Sequence, residues 1–339
     1  MTSEESKEIF RSVASHATDA VPVECKPLRP NAYADNGKSV VSLVKAENRV
    51  EGIHKAVELI GGLHVTPAKD DRGYVLVKPN CNSHDPFPAS THPQTIRTIL
   101  KLLLQSDFTP CQIVLGDMSG PAWLPTRTTM ERNGTLNVAE EFGVRLSFFE
   151  NEDWVWIRPE KAASWSDGFR IAKTAYEAAS IISLPCLKTH QFGGVFTLSL
   201  KNTVGLINPA DRSLLHQKMG ERIAEINLAY SPDIVILDGL ECFVSGGPAH
   251  GVKKDSGVIV AGGDRVSVDA VGVSVLKWYG AEGIANVKLR DHDQLRRAEE
   301  INIGCLRKDS ISLKPRNMTG DEEFDQVADF VQDQLSNCA

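Results

Sequence analysis

The stretch Ser180–Pro209, SIISLPCLKTHQFGGVFTLSLKNTVGLINP, opens as a core strand and closes as something else. A short apolar run halted by Pro185 suits a strand covered on both faces. Such a strand has no use for Lys188 and His190 at its end, or for Lys201 shortly after, whereas a site for an anionic ligand would use all three.

The same form recurs along the chain. SVVSLV (Ser39–Val44), YVLVKPN (Tyr74–Asn80), QIVLGD (Gln112–Asp117), RLSFF (Arg145–Phe149), DIVILDG (Asp233–Gly239) and GVIVAGGD (Gly257–Asp264) are all short apolar runs. Between them lie segments of helical period, as in RVEGIHKAVELIGG, where Val50, Ile53, Ala56, Val57 and Ile60 fall on one face. Strands alternating with helices predict an α/β fold, a Rossmann-like mostly parallel sheet with helices on both faces.

At 339 residues the chain exceeds the roughly 150 expected per domain, yet α/β sheets grow larger without dividing. Residues 1–38 read as a polar N-terminal arm that adds little to any site, 39–310 as the α/β domain, with division into two lobes left open, and 311–339 as a C-terminal helical segment. The stretch EDWVWIRPEKAASWSDG (Glu152–Gly168) has no readable period.

A net charge of -7 and the lack of any Lys/Arg-rich run argue against nucleic acid as a partner. The acidic start, MTSEESKEIF, lacks the basic and apolar parts of a signal peptide. No stretch reaches the roughly 18–20 apolar residues that span a bilayer. No membrane partner is therefore expected, and the location is read as cytoplasmic. Seven scattered cysteines without a C-x-x-C pair predict reduced thiols and no iron–sulfur cluster within one chain. His92, His190, His216 and His250, with Asp117 and Asp238, lack compact ligand spacing, so no metal is assigned.

In open α/β sheets ligands bind beyond the carboxyl ends of the strands, and several apolar runs here end in polar residues. Lys78 offers a point charge and Asn80 an amide; Asp117, Lys188, His190 and Asp238 follow in the same sense. Thr91 and His92 precede a helix whose free N–H groups suit an anion, with Ser90 or Thr91 as its N-cap and Pro93 in its first turn. Gly193 and Gly194 permit close backbone approach, as do Gly246 and Gly247. Lys201, set among apolar residues beside Asn202, is either a desolvated amine fit to act as base, nucleophile or tether, or a side chain that snorkels to water. His216 stands before another helix, while Asp264 reads as an N-cap and Asp269 as structural. His190 and Lys201 are the catalytic candidates, and Lys78, Asn80, Thr91, His92, Asp117, Lys188, Asn202, His216, Asp238, Gly246 and Gly247 are the ligand-binding candidates.

With those residues in view, the chain resembles the family of the domain of unknown function 362 from about Ser39 to Gly283. VKPN, THP, GDMSG, LPCLKTH, LKNTVGL, LLHQ, ILDGLECFVSGGPAHG and DRVSVDAV carry the likeness in one order. It implies an α/β fold and redox or iron–sulfur roles, but this chain has neither a ferredoxin-like Cys-rich segment nor a twin-arginine signal. The order His190, Gly193-Gly194, Lys201, Gly205 is also similar to a short segment of the lactate racemase family, in which a histidine and a lysine serve a nickel-pincer nucleotide. That implies that His190 and Lys201 act together.

The expected function is an enzyme of redox or isomerase type acting on a small anionic substrate or a nucleotide-like cofactor. The alternative is a non-catalytic protein that binds an anion or cofactor in the same cleft. The cofactor's identity and the oligomeric state, homo-oligomer included, stay open.

Overall fold

Strands rich in Val, Ile and Leu on both sides must be covered on both sides, and the order of elements meets that need. The structure, a computed structural model, describes residues 3–65, 73–307 and 309–338. The large sheet is built from β1 (Lys38–Lys45), β2 (Val75–Pro79), β3 (Ile113–Asp117), β4 (Arg145–Phe148), β5 (Ser180–Leu184), β6 (Cys186–His190), β7 (Val195–Thr197), β8 (Ile234–Gly246), β9 (Gly251–Lys254), β10 (Val258–Gly262) and β11 (Ile311–Asn317). Its main path runs β11-β1-β10-β8-β5-β2-β3-β4. Along that path only β10 is antiparallel to its neighbours, so the sheet is mostly parallel.

Alternation along the strands sorts the two faces. Val75, Val77, Ile182 and Ile236 share one core layer with Ile53 of α2 (Arg49–Leu59), Ile96 and Ile99 of α3 (Pro93–Gln105), and Val138 of α4 (Thr135–Phe142). Val235, Leu237, Val258 and Val260 face the other layer, with Val268, Val271 and Val275 of α7 (Arg265–Trp278). Between α4 and α7 the chain forms α5 (Pro209–Arg212) and α6 (Met219–Ile226). Asp264 caps α7 by accepting from the Val266 and Ser267 N–H groups, as its place in the sequence suggests.

Pro185 ends β5, and the chain then shifts sideways as β6 to pair with the far half of β8 (Cys186 opposite Asp238, Lys188 opposite Phe243) and with β7. This shift carries Lys188 and His190 past the carboxyl edge of β2 and β5. The unreadable tryptophan stretch lies on a small three-stranded sheet of Val21–Pro22, Trp154–Ile157 and Phe169–Ala172.

Both ends of the chain depart from expectation. The N-terminal arm contains α1 (Ser3–Ser15), whose Ile9, Phe10 and Val13 pack on the core beneath an otherwise polar composition. The Ser6 hydroxyl donates to the Leu124 carbonyl at 2.8 Å, Tyr33 is buried, and Ala34–Asp35 pairs with β1. Residues 311–339 are not wholly helical either, because β11 joins the sheet edge against β1 before α9 (Glu322–Ser336), which follows α8 (Asp293–Glu300), docks its apolar face. No helix among the described residues is long and apolar enough to cross a membrane.

Candidate functional site

Strands β2, β3 and β6 deliver their carboxyl ends to one cavity of about 480 Å³, completed by the 3-10 turn Lys201–Leu206 and by α5 and α6. Lys78, Lys188, Lys201 and Arg212 line it, against one carboxylate, Asp117. In a chain of net charge -7, this cleft carries an excess of positive side chains. Phe10, Met118, Trp123, Leu215, Met219 and Ile223 supply an apolar wall.

The i, i+2 spacing of Lys188 and His190 puts both on the cavity face of β6, and Thr197 stands opposite Lys188 on β7. The Lys188 ammonium donates to Asn80 Oδ1 at 2.7 Å, to the Pro248 carbonyl at 3.3 Å and to the Ala89 carbonyl. Three acceptors match its three N–H bonds, although burial lowers its pKa to about 8. His190 is pushed down to about 2, first by burial and then by Lys201, Lys188 and His216, so its imidazole is neutral at physiological pH. Its Nδ1 and the Thr197 hydroxyl are buried without a hydrogen-bond partner among the described residues.

Lys78 is consumed more fully. Its ammonium meets Asp117 Oδ1 at 2.7 Å and the Pro79 carbonyl at 2.8 Å. Asp117 also accepts from the Cys81 and Met118 N–H groups, and Asn202 braces the pair through the Lys78 carbonyl and the Ser183 hydroxyl. Gly205 leaves room for this cluster: a Cβ there would overlap Asp117 Oδ1 and stand 3.1 Å from Lys78 Nζ. Because Asp117 is held from several sides, Gly205→Ala is expected to destabilise the fold by about 1–3 kcal/mol. Denaturant unfolding checks this; an unchanged midpoint would show that the cluster yields freely.

Lys201 differs from the other lysines. It faces the cavity and makes no hydrogen bond or ion pair among the described residues. Burial, then the charges of Arg212 and Lys188, lowers its pKa to about 7. A Cβ on Gly194 would stand 2.7 Å from Lys201 Cε and 3.0 Å from His190 Nδ1, so both side chains pack against that bare backbone. Asp269 fixes the approach to Lys201 by accepting from the Ser199 and Leu200 N–H groups at 2.8 and 2.9 Å. Arg212 at the end of α5 donates to the Ser119 carbonyl at 2.9 Å, its one side-chain hydrogen bond among the described residues, and keeps the rest of its fork for the cavity.

Lys78, Asn80, Asp117, Lys188, His190, Lys201, Asn202 and His216 therefore meet at one cavity. The remaining candidates lie outside its lining. Asp238 is bound to Arg49 at 2.8 Å and to the Thr95 hydroxyl, since β8 does not end at Asp238 but runs on through Gly246. His92 is itself the N-cap of α3, its Nδ1 accepting from the Gln94 N–H, so the cap is neither Ser90 nor Thr91. The Thr91 hydroxyl instead bridges the Asn80 N–H and the Leu184 carbonyl. Gly246 and Gly247 form a turn with positive φ behind Thr189, and Pro248 reaches the cavity in their place. Arg212, Thr197, Asn82 and Phe10 are lining residues that reading strand ends passed over. Only Arg212 left a trace, the Asn-Pro helix start just before it. The lining by Phe10 also overturns the expectation that the first 38 residues add little here.

Among the described residues no group of three or more His, Cys, Asp or Glu side chains is placed to hold a metal ion. Burial pushes the Cys81 thiol up to about 12 and those of Cys186 and Cys242 up to about 11, so all three are protonated at neutral pH.

Over 254 residues the chain is 27% identical to "Thylakoid-associated protein sll1697" of Synechocystis sp., an alignment covering 70% of this chain and 74% of that protein. The model of a family described as a domain of unknown function, DUF362, matches residues 75–274. That span starts at β2, ends within α7 and holds every charged group of the cavity, and with more than half of its length so matched the chain belongs to the DUF362 family.

Proposed function

We propose that the protein is an enzyme of isomerase or redox type that takes a small anionic substrate, or a nucleotide-like cofactor, into this cavity, with Lys201 and His190 as the reacting pair. The observation that carries the reading is the unpartnered Lys201 amine in a cavity with surplus positive charge. Arg212 would hold the anionic group, with Lys188 adding positive charge nearby. Its negative charge would favour the ammonium form of Lys201, so ligand binding and proton uptake are coupled. The neutral His190 would accept a proton beside it once the ligand's negative charge offsets the cations that hold its pKa down. A cytoplasmic location is part of the proposal; the relative's name makes attachment to a membrane surface worth testing by co-sedimentation with vesicles.

Calorimetry with a panel of small carboxylates and phosphates, run in buffers of different ionisation enthalpy, tests the reading. Binding with proton uptake near pH 7 is expected. On a substrate so found, His190→Gln is expected to lower turnover by on the order of 10²-fold while leaving binding in place. Tight binding without any turnover would favour the non-catalytic alternative.

A further inference from the structure

Resting on that reading, we infer that the substrate is an oxo acid, a carboxylate with a nearby ketone or aldehyde carbonyl and an apolar body, and that Lys201 joins it covalently as an imine. Four features of the cavity converge on this chemistry. Among the described residues the Lys201 amine has no partner to displace, and the bare Gly194 backbone lets its Cε pack beside the His190 ring, so that amine and imidazole would meet one carbonyl group. The unused part of the Arg212 fork matches a carboxylate in a way that a lysine point charge does not. Thr197, 4% exposed, and His190, 9% exposed, line the same cavity, and each has a buried polar atom without a partner among the described residues, which a carbonyl oxygen and the proton it acquires would satisfy. The apolar wall of Met118, Trp123 and Ile223 has no role toward a bare inorganic anion but would pack a side chain of the acid.

The step balances without an outside oxidant or reductant. The amine lone pair attacks the carbonyl carbon, and the C=O π pair moves to oxygen. A proton passes from nitrogen to that oxygen through His190 or the Thr197 hydroxyl, giving a carbinolamine. The carbinolamine oxygen then leaves as water, taking one proton drawn from solvent, and the nitrogen lone pair forms the C=N bond of a protonated imine, which draws electrons from the adjacent carbon. A proton leaving that carbon would pass to His190, which is the isomerase chemistry of the proposed function made specific.

The test uses the full chain at pH 7 with phenylpyruvate or levulinate and sodium cyanoborohydride, followed by intact mass and peptide mapping. Phenylpropanoate and pentanoate, which lack the carbonyl, serve as matched controls. One reduced-imine adduct per chain is expected, on Lys201, because its neutral fraction exceeds that of an ordinary surface lysine by on the order of 10³-fold. Phenylpropanoate should compete with phenylpyruvate, and Lys201→Met should remove the adduct. Lys201→Arg, which keeps the charge but cannot form the imine under these conditions, should bind phenylpropanoate without forming an adduct. Absence of an adduct, or adducts spread over surface lysines, overturns the inference. If the carboxylates nonetheless bind with proton uptake, the anionic-cleft reading survives that failure; if none binds, both fall.

Discussion

Lys201→Met is expected to reduce turnover by at least about 10²–10⁴-fold while making the ligand-free protein more stable at pH 6. The two effects share one cause. The pKa of Lys201 falls from 10.5 to about 7 on folding, so at low pH the folded protein holds an ammonium that burial and Arg212 disfavour. This penalty is complete below about pH 7 and fades as pH rises toward 10.5, where the amine is neutral folded or unfolded. Met keeps most of the packing volume without the charge. A gain on the order of 2–4 kcal/mol at pH 6 is expected, shrinking at higher pH. Thermal unfolding of both proteins across pH measures it. A destabilised variant with unchanged turnover would mark Lys201 as a packing residue.

Asp117→Ala is expected to be the most damaging change in the cavity. Lys78 and Asp117 retain 1% and 2% of their side-chain exposure, and removing one member of a buried pair leaves the other charge uncompensated, at about 3–5 kcal/mol. The Cys81 and Met118 N–H groups lose their acceptor as well. Adding Lys78→Met should recover part of the loss, since it removes the stranded charge; a double variant no more stable than Asp117→Ala would contradict this account.

The sheet was legible because a strand buried on both faces leaves little but Val, Ile and Leu in the sequence, and the polar residue that ends the run marks the strand's carboxyl end. Lys78, Asp117, Lys188 and His190 were found on that logic. It failed at Asp238, where the polar residue interrupts a strand that continues and the carboxylate is taken by Arg49. It also failed for Arg212 and Phe10, which sit on helices and enter the cavity only through tertiary packing. Nothing in the local pattern around Phe10 tells which side of the sheet an amphipathic N-terminal helix will cover. His92 shows a third limit: a histidine at a helix start suits an anion site, but its own ring nitrogen already fills the N–H acceptor role.

The central claim is that Lys201 is a desolvated amine in a cationic cavity, and its titration tests that most directly. Competitive acylation of the intact protein across pH, read for the Lys201 peptide by mass spectrometry, reports the neutral fraction of this one amine. A midpoint near 7, moving upward when a carboxylate ligand is bound, is the result predicted here. A midpoint near the ordinary 10.5, with reactivity like that of the surface lysines, would contradict it.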